Sequence, residues 1–480
     1  MADRAPSVAG RASRALGWSF ANTVVSRLGT LAIGIALARV LGPSEFGVFA
    51  IAMVSLLAIL SFNELGVSLA IVRWRDEPRG IAPTVNTIAV ATSALLAIAM
   101  VVAAPWVSTA LGDVRATPVL QVLAVSILIN GLVATPAAML QREFMSKQRM
   151  IADQLNSWLG AGVSLALALA GWGAMSLAAG RIVGSVAAAI VFFRWSPVPY
   201  RFGWDPAVAR HLFSFGLPLA VSSIVVFGSG YADQVVVGTT LGATALGYYA
   251  LAFNLASWPV SIFSQPLRQV APAAFARLQH DPERMRRNFA SAAVVLSVVA
   301  LPACLAIAGA AKPVVGFVYG NPWLPAAAAL AWLAAQAGLR IWFELTYDYL
   351  VVLGRSRGLL MIQVGWFAAG VPAMLLGARW AGIGGVAAAQ FLVALTVVLG
   401  LYGWQLRRSG MRLLPLLRSL WLPVLAGIAS GAIAYGIAQL GLGRFVASLL
   451  AGLASCAVIG LLLLRHRPEL ARLRSAEESA

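Results

Sequence analysis

Apolar residues run through this chain in long blocks, and the polar stretches between them are short. A run of about 20 apolar residues can cross a bilayer as a helix, because a helix closes its own backbone hydrogen bonds where lipid offers no partner. The pattern predicts fourteen such spans: 16–41, 45–71, 81–105, 117–141, 150–170, 172–193, 211–238, 244–268, 289–311, 324–352, 358–378, 381–404, 419–440 and 444–464. The runs are too long, and alternate too little, to be membrane strands. An all-α integral membrane protein is the fold class this predicts.

Composition agrees. Of 480 residues, 60% are hydrophobic and only 11% charged, a balance foreign to a soluble chain of this length. The basic residues then orient the spans. With a cytoplasmic N-terminus, 27 of the 35 Lys and Arg fall in cytoplasmic segments. Four (Arg115, Lys312, Arg379, Arg444) fall in the opposite loops, and four (Arg27, Arg39, Arg181, Arg340) within spans. That bias is the positive-inside signature, and removing any one span would scramble it. Both termini are thereby expected in the cytoplasm, and the net charge of +18 reads as cations set among anionic headgroups. Nucleic acid is not an expected partner, since the basic loops are short and scattered.

Several chemistries lack their residues. No Gly-rich phosphate loop ending in Lys-Ser or Lys-Thr is present, so the chain carries no recognisable ATPase. His211, His280 and His466 have no metal-ligand spacing, and Cys304 and Cys456 fall inside predicted helices. No cofactor, metal or catalytic residue is expected. The non-cytoplasmic loops are too short to house an enzyme acting on that side.

One pattern recurs. LGPSEFGVFAIA at 41–52 and LGATALGYYALA at 241–252 share Leu41/Leu241, Gly42/Gly242, Gly47/Gly247, Ala50/Ala250 and Ala52/Ala252. The first turn joins spans one and two, the second spans seven and eight. An offset of six spans gives both copies the same orientation, the mark of a parallel repeat. The expected organisation is a cytoplasmic segment 1–15, a lobe 16–193, a linker 194–210 and a second lobe 211–404. Residues 405–464 add a basic loop and spans thirteen and fourteen, followed by a tail 465–480.

LARVLGPSEFGVFAIA and NELGVSLAIVR (63–73) in the first lobe resemble the polysaccharide flippases. So do SFGLPLAVSSI (214–224), Tyr231-Ala232-Asp233-Gln234 and QPLRQVAPAAFARL (265–278) in the second. These Wzx-like O-antigen and exopolysaccharide exporters belong to the superfamily that also holds the MATE antiporters and the lipid II flippases. The resemblance spans about residues 14–410. It implies two six-helix lobes around a central cavity open alternately to each side of the bacterial inner membrane. It further implies an undecaprenyl-diphosphate-linked oligosaccharide as cargo, coupling to the membrane potential or an ion gradient, and a polymerase and chain-length regulator as partners. Lipid II and cationic drugs are the alternative cargoes.

Charges at bilayer depth are the candidate site, since each is costly when unpaired. Arg27, Arg181 and Arg340 are expected in the cavity, where the guanidinium fork suits a diphosphate. For Arg340 a packing role competes, because Glu344 follows at i+4 and Asp348 at i+8. Glu344, Asp348, Asp233 and Glu64 are candidates for ion coupling or gating. A drug antiporter would need carboxylates in its first span, which carries Arg27 instead.

The topology is testable with single cysteines in a chain lacking Cys304 and Cys456. Positions 79 and 355 should be shielded from an impermeant thiol reagent in intact cells, and positions 113 and 443 labelled. Labelling of position 355 from outside would overturn the fourteen-span arrangement.

Overall fold

The computed structural model describes residues 8–63, 71, 79–143, 145–277 and 281–465. Among them the regular structure is helical, with no strand. The helices are α1 (Val8–Asn63), α2 (Ala82–Ala110), α3 (Ala116–Arg142), α4 (Ser146–Leu169), α5 (Ala174–Arg194), α6 (Pro206–Leu241) and α7 (Ala243–Arg277). They continue as α8 (Pro282–Gly309), α9 (Ala311–Val318), α10 (Ala326–Val352), α11 (Ser356–Val393), α12 (Leu399–Arg408), α13 (Leu413–Gln439) and α14 (Arg444–Arg465). Among the described residues nine helices are long and apolar enough to cross a membrane. Two long helices are each a pair of spans. In α1 the break is at Gly42 (φ 70°, ψ 174°), with Pro43 starting the next helix. In α11 it is at Ala381 and Gly382, and Gly382 has φ 57° and ψ −139°.

The chain divides into two compact units, Met1–Phe227 and Gly228–Ala480, and the boundary falls within α6. The units share a set of turns. Gly42 and Gly242 have φ of 70° and 82°, Gly112 and Gly320 both 94°, Gly173 and Gly382 52° and 57°. A positive φ at the end of a helix is the conformation in which only glycine is free of Cβ strain. The offsets are 200, 208 and 209 residues, so the repeat seen in one hairpin extends to three.

In unit 1 the three turns are joined by charge. Glu45, just after Gly42, accepts a hydrogen bond from the backbone of Ala174 (2.8 Å), the first residue of α5. Arg115 donates to Ser44 (3.0 Å) and Asp113 (2.7 Å) and lies 3.5 Å from Glu45. The Glu45 carboxylate thus satisfies an orphan donor at the positive end of α5. In unit 2 the equivalent junction is aromatic. Trp323, in the place of Arg115, is 1% exposed and packs against Tyr248 and Tyr319.

The segment leading into α6 is ordered against unit 1. Asn86 donates to the Arg201 carbonyl (2.9 Å) and Thr87 to the Gly203 carbonyl (2.8 Å), while the Asp205 amide donates to Thr84 (3.0 Å). Asp205 then caps α6 by accepting from the Ala207 amide at 2.8 Å. Val198, Ala209 and Leu212 complete a core with Ile81, Val85, Ile88 and Met139. Residues 195–205 therefore form a strap across the start of α2.

In unit 2, Phe289, Leu345, Tyr349, Leu350 and Leu406 anchor the main core. The last two helices join it along α8. Gly427, Ser430 and Gly431 bring α13 so close that a Cβ on Gly309 would strike the Gly431 carbonyl. Ser430 donates to the Pro302 carbonyl at 3.2 Å, a side-chain hydrogen bond from one helix to the backbone of its neighbour.

Acid should test the unit 1 junction. The hydrogen bond from Arg115 holds the Asp113 carboxyl below its ordinary 3.8, ahead of the opposing effect of burial. The ionised form is favoured by folding, so its contribution is full above that value and is lost as pH falls below it. Melting of the purified protein should drop between pH 6 and pH 3, and Asp113→Asn should reduce that drop. Glu45→Ala, which uncaps α5, should cost about 1 kcal/mol at neutral pH.

Candidate functional site

Three helices of unit 2 meet around the most buried carboxylate among the described residues. Asp233 on α6 is 1% exposed, Tyr249 on α7 is fully buried, and Gln390 on α11 is 7% exposed. The Tyr249 hydroxyl lies 2.9 Å from Asp233 Oδ2 and 3.3 Å from Gln390 Oε1. Gln390 Nε2 reaches the same Asp233 oxygen at 3.4 Å, and the Gln234 amide donates to Oδ1 at 2.8 Å. Four residues past Gln390 the helix loosens into a π-helical turn, Ala394–Val398, a local widening common near functional positions.

Hydrogen counting shows what this cluster can do. Tyr249 has one hydroxyl hydrogen and faces two acceptors when Asp233 is ionised. One of those contacts then has no hydrogen. With a proton on Asp233, the carboxyl donates to Tyr249, Tyr249 donates to Gln390 Oε1, and both contacts are served. The group is built to accommodate a neutral carboxylic acid as well as an anion, in a setting where a bare charge is expensive.

The other expected site residues fall differently. Arg340 Nε donates to Glu344 Oε1 at 3.2 Å along one face of α10, the pairing that their i,i+4 spacing suggests. Asp348 is buried one turn further on, at 7% exposure. Beside this stripe Phe343 stacks on Tyr402, with ring centroids 5.1 Å apart. Arg181 on α5 makes no hydrogen bond or ion pair with a described residue, and its Nε is buried. Arg27 belongs to α1, but its side chain lies outside the described residues, as does Glu64 altogether.

Tyr249 and Gln390 escaped the sequence reading. Tyr249 stood inside the recurring hairpin and looked like part of the turn. Gln390 is an amide in an otherwise apolar run, VAAAQFLV, and that interruption was the available signal. Asp153 and Asn156, exposed on α4 at a similar remove from the helix end, were also passed over.

Fold and site together define a multi-pass, all-helical membrane protein of two internally repeated units with isolated charges in its spans. The model of the family described as "Polysaccharide biosynthesis protein" matches residues 36–328, and the chain belongs to that family. Its relatives include the succinoglycan biosynthesis transport protein ExoT of Rhizobium meliloti (strain 1021), 26% identical over 336 residues. That alignment covers 68% of this chain and 66% of ExoT, just under two thirds of the relative. The lipopolysaccharide biosynthesis protein WzxC of Escherichia coli (strain K12) is 23% identical over 428 residues, covering 88% of this chain and 86% of WzxC. Among solved structures, the lipid II flippase MurJ in an inward closed conformation superposes with a TM-score of 0.78 at 11% identity. The match covers 93% of this chain and 99% of MurJ, and it establishes the fold.

The Asp233 cluster makes a stability prediction. Tyr249→Phe leaves Oδ2 with only the long contact to Gln390 and should lower stability by about 1–3 kcal/mol. Asp233→Asn added to that variant should recover part of the loss. A double-mutant cycle of melting temperatures in detergent reads the coupling, and additive effects would mean that the two groups do not interact.

Proposed function

We propose that the protein is a flippase that carries an undecaprenyl-diphosphate-linked oligosaccharide across the bacterial inner membrane by alternating access, for surface or exopolysaccharide synthesis. The observation that carries this reading is family membership over residues 36–328, joined to a near full-length alignment with WzxC. The fold is compatible with it, since a flippase of a lipid-linked saccharide shares it over 93% of the chain. Lipid II is the second cargo that this fold match favours, and it presents the same diphosphate to the protein.

In this reading the diphosphate meets intramembrane guanidinium groups, Arg27 and Arg181 first among them, because Arg340 already has Glu344. Coupling runs through a carboxyl that can gain and lose a proton inside a span. Asp233 supports that role best, through partners that serve both of its forms. Glu344 and Asp348 in unit 2 and Glu64 in unit 1 are the further candidates for that role. Both termini face the cytoplasm, and the polymerase and chain-length regulator of the same pathway act on the delivered product.

The test is export by Arg27 variants at matched membrane abundance. Arg27→Ala should abolish export while the protein stays inserted and melts normally. Lys should rescue only in part, because it keeps the charge and loses the bidentate fork. Glu should do worse than Ala by repelling the cargo. Loss of abundance and melting temperature in Arg27→Ala would assign the residue to packing instead. Wild-type export by Arg27→Ala would remove it from the site.

A further inference from the structure

The strap of unit 1 and the helix ends it joins carry a cluster of aromatic rings on their outer surface. Phe193 stands at the end of α5, Tyr200 and Phe202 on the strap, and the three rings meet edge to face with centroids 5.1 and 5.5 Å apart. Phe202 and Trp204 are each 61% exposed, and Phe193 and Phe213 are exposed as well. Their backbone is held in place. Asn86 binds the Arg201 carbonyl and Thr87 the Gly203 carbonyl, while the Asp205 amide donates to Thr84. The rings are therefore presented by an ordered segment, and an apolar patch of that kind marks a surface that meets a partner.

The same stretch is cationic. Arg194, Arg201 and Arg210 are exposed, and their guanidinium groups make no hydrogen bond or ion pair with a described residue. The one acid between them, Asp205, turns its carboxylate to the Ala207 amide at the start of α6. Depth follows from the packing. Val198 of the strap shares a core with Ile81 and Ala82 at the start of α2, Met139 in the last turn of α3 and Ala209 in the first turn of α6, and the strap itself leaves the end of α5. Four helix ends thus lie at one level. Where spans end together hydrocarbon gives way to headgroups, and aromatic residues concentrate there.

We propose that the strap is a binding surface for the anionic lipid of the adjoining leaflet, with Phe202 and Trp204 set at the acyl boundary and Arg194, Arg201 and Arg210 in the headgroup layer. A protein partner is the other way to cover exposed rings. The three open cations favour lipid, because an anionic leaflet lies against the strap at all times and attracts each guanidinium through its surface potential. Rings alone would enter any bilayer. The cations make the surface selective for charge. Nothing in this rests on the flippase reading.

Single nitroxide labels at positions 202 and 204, in the full-length chain lacking Cys304 and Cys456, test this in nanodiscs. Changing these side chains leaves the strap in place, because Asn86 and Thr87 hold its backbone carbonyls. In discs of phosphatidylcholine with phosphatidylglycerol, both labels should be reached by dissolved oxygen and lose their broadening by a water-soluble nickel chelate. A label at position 283, exposed at the start of α8, should keep that broadening. Pure phosphatidylcholine should restore nickel access at 202 and 204. Arg194→Gln, Arg201→Gln and Arg210→Gln together should restore it in the charged discs, since at about fivefold per cation their loss weakens binding about a hundredfold. The two labels are read on separate chains, so a variant that fails to fold leaves the other. Nickel access at 202 and 204 equal to that at 283 in the charged discs overturns the proposal and gives the rings to a protein partner. Shielding that ignores both phosphatidylglycerol and the three arginines overturns the choice of an anionic surface.

Discussion

A chain in hydrocarbon has nowhere to place an unbonded backbone amide, and from this constraint the rest of the architecture follows. Direction can reverse only where one helix ends and the next begins at once. A glycine in the left-handed region makes this possible: Gly42 and Gly242 do it in a single residue, and Gly112, Gly173, Gly320 and Gly382 lie in the short turns of their units. Because each turn is so short, it fixes both the depth and the rotation of every residue in the helices it joins. Asp233, Tyr249 and Gln390 meet on three helices whose registers are set by two glycines, Gly242 between α6 and α7 and Gly382 within α11.

On that shared backbone the two units have diverged in chemistry. Where unit 1 ties its turns with Glu45, Ser44 and Arg115, unit 2 packs Trp323 between Tyr248 and Tyr319. The first arrangement is partly exposed and responds to protons; the second is buried and does not. At mid-depth the exchange runs the other way, with the ionisable acid in unit 2 and the permanent cation in unit 1. A duplicated fold has thus been given two different electrical characters without altering the geometry that supports them.

Much of this was legible in the residues. The spans follow from the length of the apolar runs, and the Arg340–Glu344 pair follows from a spacing of four on one helix. The first glycine pair could be found because letters around it are shared. The other two pairs could not: DVR follows Gly112 and NPW follows Gly320, so only the backbone angle shows that they match. The partners of Asp233 were hidden because Gln390 comes from 157 residues away. The strap read as a linker, since its Pro and charge are the composition of one. What makes it structure is a set of backbone carbonyls gripped by Asn86 and Thr87, and composition carries no trace of those.

The strap also bears on the order in which the protein is made. Val198, Ala209 and Leu212 close the core against which the start of α2 packs, yet they follow the whole of α5 in the chain. When α5 has entered the bilayer, unit 1 has its early helices but still shows an open apolar face beside Ile81 and Val85. Synthesis must run on into α6, whose other end belongs to unit 2, before that face is covered. Insertion and folding are therefore out of step at the ribosome: the nascent first half waits, membrane-embedded and unfinished, for the leading turns of the helix that introduces the second.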